Sequence, residues 1–164
     1  MSQFWHHSKE HRASHFAGNA PGMNAKSRIL VIDGEITVAM MMVSLLTQAG
    51  YDVEAAVNPQ KALQWVQKES FDLITLDTGL PDVNAFELFK RLKQIPHLRE
   101  TPILFVSGHV TAESRRRAFE FGAVNLITKP FTASDFLSRI SASIQPRTES
   151  RLTPAGNLLE TQRE

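Results

Sequence analysis

The chain has 164 residues and a formal net charge of +1 at pH 7, and it contains no cysteine. The charge is nearly balanced, so the chain lacks the excess of positive charge that is typical of nucleic-acid-binding proteins. The lack of cysteine excludes disulfides and thiolate sites. No apolar run approaches the roughly 20 residues of a membrane span, and the first residues lack a signal-peptide pattern. We therefore expect a cytoplasmic protein of one domain, without membrane or nucleic-acid partners.

Residues 1–26 are polar and lack a sustained apolar period, which predicts a disordered, histidine-rich tail. Three histidines recur at intervals of four residues: His7, His11 and His15. A helix would align them for a transition metal, but a disordered leader is the simpler interpretation. The natural start is either Met1 or Met23, since Met23 leads almost directly into the first apolar run.

From residue 27 onward, short apolar runs alternate with segments of helical spacing. Five apolar runs predict buried strands at 28–33, 52–57, 71–77, 102–108 and 124–131. Five segments predict helices at 35–50, 58–70, 84–95, 111–123 and 132–144. Asn58 and Pro59 are a typical helix start, and Gly50 is a typical helix stop.

This alternation predicts one α/β domain at 27–145, with a parallel sheet covered by helices on both faces. Residues 146–164 contain two prolines and are predicted to be a flexible tail. A tail of this length is too short for a DNA-binding or catalytic output domain. We therefore expect a stand-alone module that acts by contacting other proteins.

Polar residues stand at the ends of four predicted strands: Asp33, Asp77, Ser107 and Lys129. The carboxyl ends of parallel strands form the ligand-binding edge of such a sheet. If these strands are neighbours, two carboxylates, a hydroxyl and an ammonium group share one pocket. Buried carboxylates need partners, which Lys129 or a bound cation can supply. The plainer alternative is an ion cluster that merely closes the sheet end.

The segments ILVIDGE, LITLDTGLP, ILFVSG and LITKPF, in this order, closely resemble the receiver domain of bacterial response regulators. The resemblance spans roughly residues 27–144. It implies a flavodoxin-like, doubly wound sheet of five parallel strands in the order 2-1-3-4-5. It also implies that Asp77 accepts a phosphoryl group from a histidine kinase or phosphotransfer protein, with Lys129 and Ser107 contacting the phosphoryl oxygens.

The resemblance further implies a magnesium site formed by Asp33, Asp77 and the backbone carbonyl of Gly79. The family usually has two adjacent acids after the first strand, and the second, the main magnesium ligand, is Gly34 here. Glu35 follows, but a residue at that point is expected to point elsewhere. We therefore expect weak or lost Mg²⁺ binding and slow phosphorylation, and we expect Gly34→Asp to strengthen Mg²⁺ binding.

Leu126 is a second departure from the family's pattern. Receivers commonly carry an aromatic residue at this position, and its rotamer is coupled to the hydroxyl residue, here Ser107. Leucine lacks the ring, which puts that coupling in question. His109 lies at the expected pocket mouth and is either an exposed loop residue or a pH-sensitive neighbour of the phosphate.

The first predicted helix is apolar nearly all round. Its inward stripe is predicted to be Val38, Met41, Met42, Leu45, Leu46 and Ala49. Ala39, Met40 and Val43 are then outward, and we predict that Met40 and Val43 contact a kinase or a second copy of the chain. Phe119 and Leu126 are predicted to form an apolar spot where many receivers dimerise or meet a downstream target.

Two functional interpretations stay open. The first is a two-component receiver that is phosphorylated on Asp77 and signals through protein contacts without being an enzyme. The second is a phosphorylation-independent pseudo-receiver, an interaction protein favoured by Gly34 and Leu126. A phosphoryl-transfer hydrolase would need an acid two residues after its nucleophile, where this chain has Gly79.

Overall fold

The computed structural model describes residues 26–81 and 83–144. The strands are β1 (Arg28–Ile32), β2 (Asp52–Ala56), β3 (Leu73–Asp77), β4 (Ile103–Ser107) and β5 (Asn125–Thr128). The helices are α1 (Ile36–Gln48), α2 (Pro59–Lys68), α3 (Ala85–Gln94), α4 (Ala112–Glu120) and α5 (Ala133–Ser143), with a 3-10 helix at Pro96–Leu98. The predicted alternation of strands and helices is confirmed.

The five strands form one parallel sheet in the order β2-β1-β3-β4-β5, which confirms the predicted topology. The register brings the carboxyl ends of the central strands to the same edge. Asp77 lies opposite Val106, and Ser107 lies opposite Thr128. The side chains that follow these strands are therefore delivered to a common point.

The helix ends follow the signals in the sequence. The Asn58 side chain accepts a hydrogen bond from the Lys61 backbone N–H, and the Thr132 side chain accepts one from the Asp135 backbone N–H. These contacts satisfy donors that the first helical turn leaves unpaired. Gly50, just beyond α1, has a φ of 95°, a conformation that favours glycine.

Alternating residues of the strands bury two apolar layers, one on each face of the sheet. In β1, Leu30 and Ile32 pack into the layer covered by α2, α3 and α4. Ile29 and Val31 pack into the layer covered by α1 and α5. This two-sided burial explains why the central strands are continuous apolar runs.

The predicted face of α1 is partly wrong. Met41 is 44% exposed and Ala49 is exposed, although both were assigned to the inward stripe. Ala39 was assigned outward, but it is buried with Met42 and Leu46. Because α1 is apolar nearly all round, its periodicity does not fix which side faces the sheet.

The two tail predictions and the three-histidine alternative concern residues that lie almost entirely outside the described ranges. The domain boundaries at 27 and 145 therefore stay predictions. Within residues 26–81 and 83–144, no helix combines the length and apolar character that crossing a bilayer requires.

Candidate functional site

Asp77 is the last residue of β3, a strand whose five residues are all buried. The chain turns immediately afterwards, and the Gly79 backbone N–H donates to Asp77 Oδ1 at 3.1 Å. The Thr78 backbone N–H donates to the carbonyl of Val106 at 2.9 Å, which fixes the turn on β4. The carboxylate is thus held at the sheet edge with only 4% of the residue exposed.

Asp33 directly follows β1 and is 0% exposed. Its backbone N–H donates to the carbonyl of Ala56, and its Oδ1 accepts a hydrogen bond from the Glu35 backbone N–H at 2.9 Å. The second carboxylate oxygen, Oδ2, has no aligned hydrogen-bond donor among the described residues. A buried carboxylate oxygen in this state depends on a nearby positive charge.

Lys129 supplies that charge. It follows β5, and its backbone N–H donates to the carbonyl of Ser107 at 2.7 Å. Its Nζ lies 2.8 Å from Asp33 Oδ2, 3.4 Å from Asp77 Oδ1 and 3.5 Å from Glu35 Oε1. The structure therefore brings the two predicted carboxylates and the predicted ammonium group together.

The burial of these groups perturbs their protonation. Burial raises the pKa of Asp33 above its ordinary value, and this effect outweighs the opposing contacts with Lys129 and the Glu35 N–H. Burial lowers the pKa of Lys129, but the hydrogen bonds and charges of Asp33 and Asp77 outweigh it, so the Lys129 pKa is raised. The ammonium form of Lys129 is therefore favoured in the folded protein.

Ser107 ends β4 and is 3% exposed. Its hydroxyl accepts a hydrogen bond from Thr78 Oγ1 at 2.6 Å and donates one to the carbonyl of His109 at 2.9 Å. The hydroxyl proton is thus directed to the loop after β4. Thr78 was missed by the sequence analysis, and the available signal was a hydroxyl residue directly after the strand-end carboxylate.

The strand ends surround an open cavity of about 430 Å³. Its lining residues are Glu35, Asp77, Thr78, Gly79, Ser107, Gly108, His109 and Lys129. Asp33 lies beneath this lining and reaches the cavity through its contact with Lys129. His109 is exposed at the mouth, as both of its interpretations require.

Glu35 corrects an expectation. Its side chain was expected to point elsewhere, yet it lines the cavity and contacts Lys129. The hydrogen bond from its backbone N–H to Asp33 Oδ1 bends the chain before α1 and brings position 35 over the cavity edge. Glu35 is the residue before the first turn of α1, but its side chain makes no capping hydrogen bond.

Gly34 is packed against the turn after β3. A Cβ atom built at Gly34 would lie 2.9 Å from Pro81 Cδ, closer than real Cβ contacts allow. An acid at position 34 therefore requires Pro81 to shift, which the sequence analysis did not anticipate. The expectation that Gly34→Asp simply adds a magnesium ligand must be revised for this reason.

The donor set at the cavity fits Mg²⁺. Carboxylate oxygens of Asp33 and Asp77 and the carbonyl of Gly79 are the hard oxygen ligands that this ion prefers. Asp33 Oδ2 already has the Lys129 ammonium at 2.8 Å, so a cation at this oxygen would share it with Lys129. In residues 26–81 and 83–144, however, no three acidic or imidazole groups are already arranged around one metal position.

The proposed interface residues differ in exposure. Met40 is 48% exposed and Phe119 is 47% exposed, so both are available on the surface. Val43 is partly buried and packs against the apolar layer under α1 and α5. Leu126 is 3% exposed and lies in the other layer, so it does not contribute to a surface spot with Phe119.

Comparisons with known proteins agree with this architecture. Residues 29–141 match the sequence model described as a response regulator receiver domain. The chain is 32% identical over 113 residues to the transcriptional regulatory protein DltR of Streptococcus agalactiae, covering 69% of this chain and 50% of that protein. It is 32% identical over 117 residues to the phosphate regulon transcriptional regulatory protein PhoB of Pseudomonas aeruginosa, covering 71% and 51%.

Solved structures give the same result. The chemotaxis response regulator CheY4 of Vibrio cholerae superimposes with a TM-score of 0.69 at 28% identity, covering 73% of this chain and 100% of that chain. The non-phosphorylated HemR receiver domain of Leptospira biflexa gives a TM-score of 0.68 at 32% identity, covering 75% and 98%. The chain spans about half the length of the curated relatives it matches.

Proposed function

Because the chain belongs to the response regulator receiver domain family, we propose that it accepts a phosphoryl group on Asp77 and signals through protein contacts. The observation that carries this proposal is the position of the Asp77 carboxylate, which lines the open cavity 3.4 Å from the Lys129 ammonium. An ion cluster that only closed the sheet would not need an adjoining cavity of about 430 Å³, large enough for a phosphoryl group.

The chemistry follows from the carboxylate. An oxygen of Asp77 attacks the phosphorus of a phosphohistidine on a partner kinase or phosphotransfer protein, or of a small phosphodonor. With phosphohistidine, the new O–P bond makes an acyl phosphate as the donor's P–N bond breaks, and the leaving imidazole takes up a proton. With acetyl phosphate, the donor's P–O bond breaks instead and acetate leaves. Such a transfer depends on positioning and on neutralising the phosphoryl charge, because the protein contributes little covalent chemistry of its own.

Two side chains serve the transferred group. Lys129, whose ammonium form is favoured by its carboxylate neighbours, neutralises a phosphoryl oxygen as a compact positive charge. Ser107 donates its hydroxyl to another oxygen, for which it must leave the His109 carbonyl that it contacts at 2.9 Å. We infer that this exchange of hydrogen bonds changes the loop between β4 and α4 on phosphorylation.

Mg²⁺ would be held by Asp33, Asp77 and the Gly79 carbonyl, and when bound it neutralises the negative charge that builds up during the transfer. Gly34 leaves this set one carboxylate short of the family's usual number. With these three ligands alone, we infer weak Mg²⁺ binding and a slow reaction.

We propose that the phosphodonor protein, or a second copy of the chain, docks on α1 beside the cavity. In α1, Ile36, Met40 and Met41 are 59%, 48% and 44% exposed. Ile36 and Met41 thus add to the surface that was predicted for Met40 and Val43. Phe119 on α4 is 47% exposed and Val124, which precedes β5, is 46% exposed, and we propose that these two apolar side chains contact a downstream target. DltR and PhoB are transcriptional regulatory proteins, so regulated transcription is one output open to a protein containing this domain.

A second candidate is the phosphorylation-independent pseudo-receiver. The specific observation in its favour is Gly34, whose position leaves no space for the usual acid without a shift of Pro81. Leu126 also favours it, because a buried leucine has no ring or hydroxyl to follow the movement of Ser107.

Intact-mass analysis distinguishes the two candidates. The full chain is mixed with acetyl phosphate and MgCl₂, alongside Asp77→Asn and the control Asp135→Asn, which changes an exposed aspartate of α5. A receiver gains one phosphoryl group in the wild type and the control, and none in Asp77→Asn. An unmodified wild type at saturating phosphodonor would support the pseudo-receiver.

A further inference from the structure

The cavity contains an acid that the usual receiver pattern does not require. Glu35 Oε1 lies 3.5 Å from Lys129 Nζ, and the same ammonium contacts Asp33 and Asp77. Three carboxylates therefore surround one ammonium group, which leaves excess negative charge when all of them are ionised. Asp33 is 0% exposed, so its charge is balanced by partners within this cluster and not by water.

We propose that Glu35 supplies the third carboxylate of the cation site, in place of the acid that Gly34 lacks. This inference rests on the proposed receiver function and names the residue that completes its metal site. It predicts stronger Mg²⁺ binding than Asp33, Asp77 and the Gly79 carbonyl would give alone. Glu35 thereby restores the charge that the glycine removes.

The local backbone explains why position 35 serves and position 34 does not. A Cβ at Gly34 would meet Pro81 Cδ at 2.9 Å, so an acid there is obstructed. The Glu35 backbone N–H donates a hydrogen bond to Asp33 Oδ1 at 2.9 Å. In this turn the side chain of Glu35 itself lies at the cavity edge. Because the Glu35 side chain is 69% exposed and makes no cap contact, it can move toward a bound ion.

Other acids of the described residues do not compete for this role. The Arg28 guanidinium contacts Asp52, Glu54 and Glu69. Arg28 begins β1, so this group lies at the opposite end of the strand from the cavity. The acidic residues that line the cavity are Asp77 and Glu35. Lys129 Nζ now contacts all three carboxylates. When a cation binds, Glu35 must therefore give up its contact with the Lys129 ammonium and contact the ion instead.

The test is a Mg²⁺ titration of the full, unphosphorylated chain at constant ionic strength, followed by calorimetry and by the rise in melting temperature. The variant Glu35→Gln removes the charge but keeps the shape of the side chain. The matched control is Glu100→Gln, which changes an exposed glutamate in the loop before β4, at the other end of the sheet. The melting temperature without Mg²⁺ verifies that each variant is folded.

We expect Glu35→Gln to weaken Mg²⁺ binding by at least about 10-fold, because losing a charged ligand costs no less than losing an outer-shell partner of a metal site, with Glu100→Gln unchanged. The Mg²⁺-dependent rise in melting temperature should then need a correspondingly higher concentration. Equal affinity of wild type and Glu35→Gln, or no Mg²⁺ binding by the wild type, would overturn the inference.

The outcomes separate this inference from the proposed function. If Asp77 is phosphorylated while Glu35→Gln binds Mg²⁺ like the wild type, the role of Glu35 is refuted and the receiver function stands. If Mg²⁺ binding depends on Glu35 while Asp77 is never phosphorylated, the role of Glu35 stands and the receiver function is refuted.

Discussion

The contact between Gly34 and Pro81 gives a prediction that runs against the family's pattern. Introducing the usual acid with Gly34→Asp should destabilise the fold, because the new Cβ would lie 2.9 Å from Pro81 Cδ. Overpacking of this kind costs about 1–3 kcal/mol, because a proline ring atom cannot rotate away as the end of a flexible side chain can. Losing a glycine returns about 0.4–1 kcal/mol through the unfolded state, so we expect a net loss of up to about 2.6 kcal/mol.

The second half of this prediction concerns Pro81→Ala. This change removes Cδ and Cγ, the two atoms nearest to the new Cβ at 2.9 and 3.7 Å, and leaves Leu80 Cδ2 at 3.8 Å, an ordinary contact. In the Pro81→Ala background, Gly34→Asp should therefore lose most of its cost. The double variant should be about 1–3 kcal/mol more stable than the sum of the two single effects.

The assay is a double-mutant cycle by urea denaturation of the wild type, both single variants and the double variant, without Mg²⁺. The free energy of unfolding is extrapolated to zero urea for each protein. Additive effects of the two substitutions, or a more stable Gly34→Asp single variant, would refute the steric explanation for glycine at position 34.

Three further predictions concern the ion pairs and the hydroxyl contact. Thr78→Val should lower the free energy of unfolding in urea by about 1 kcal/mol by removing the donor to Ser107, whereas Thr78→Ser should lower it less; equal effects would contradict this. Because the pKa of Lys129 is raised above 10.5, its contribution to stability is complete below pH 10.5 and is lost as the pH rises further. Thermal melts should show this alkaline loss in the wild type but not in Lys129→Met, and parallel curves would contradict it. Arg28→Met should destabilise the fold by about 1–3 kcal/mol, since Arg28 lies 2.8 Å from Asp52 and 2.6 Å from Glu69 in partly exposed ion pairs. High salt should reduce that loss, because it screens the repulsion between the remaining carboxylates; a loss independent of salt would contradict this explanation.

Much of the site could be predicted because strand ends are visible in the sequence. Asp77 and Lys129 each follow an apolar run, and the parallel topology brings such ends to one edge. Their meeting at 3.4 Å needed no side-chain detail beyond the order of the strands. The same reasoning placed Ser107 and Asp33 correctly at the edge.

The remaining features depend on geometry that the sequence pattern does not encode. The backbone turn at Glu35 depends on one hydrogen bond from its N–H to Asp33, and the Thr78 contact with Ser107 depends on two rotamers. Leu126 is compatible with either an exposed or a buried position, and it is buried. The orientation of α1 was ambiguous because apolar residues occur on nearly all of its sides.

The central claim is that Asp77 carries the phosphoryl group, and locating the modified residue tests it most directly. Acyl phosphates are reduced by borohydride, so treatment of the protein after incubation with acetyl phosphate converts the labelled aspartate to an alcohol that peptide mapping identifies. We predict that the reduced residue is Asp77 and that it is absent when the phosphodonor is omitted. Phosphate recovered on Ser107, on His109 or on another acid, with Asp77 unmodified, would contradict the account.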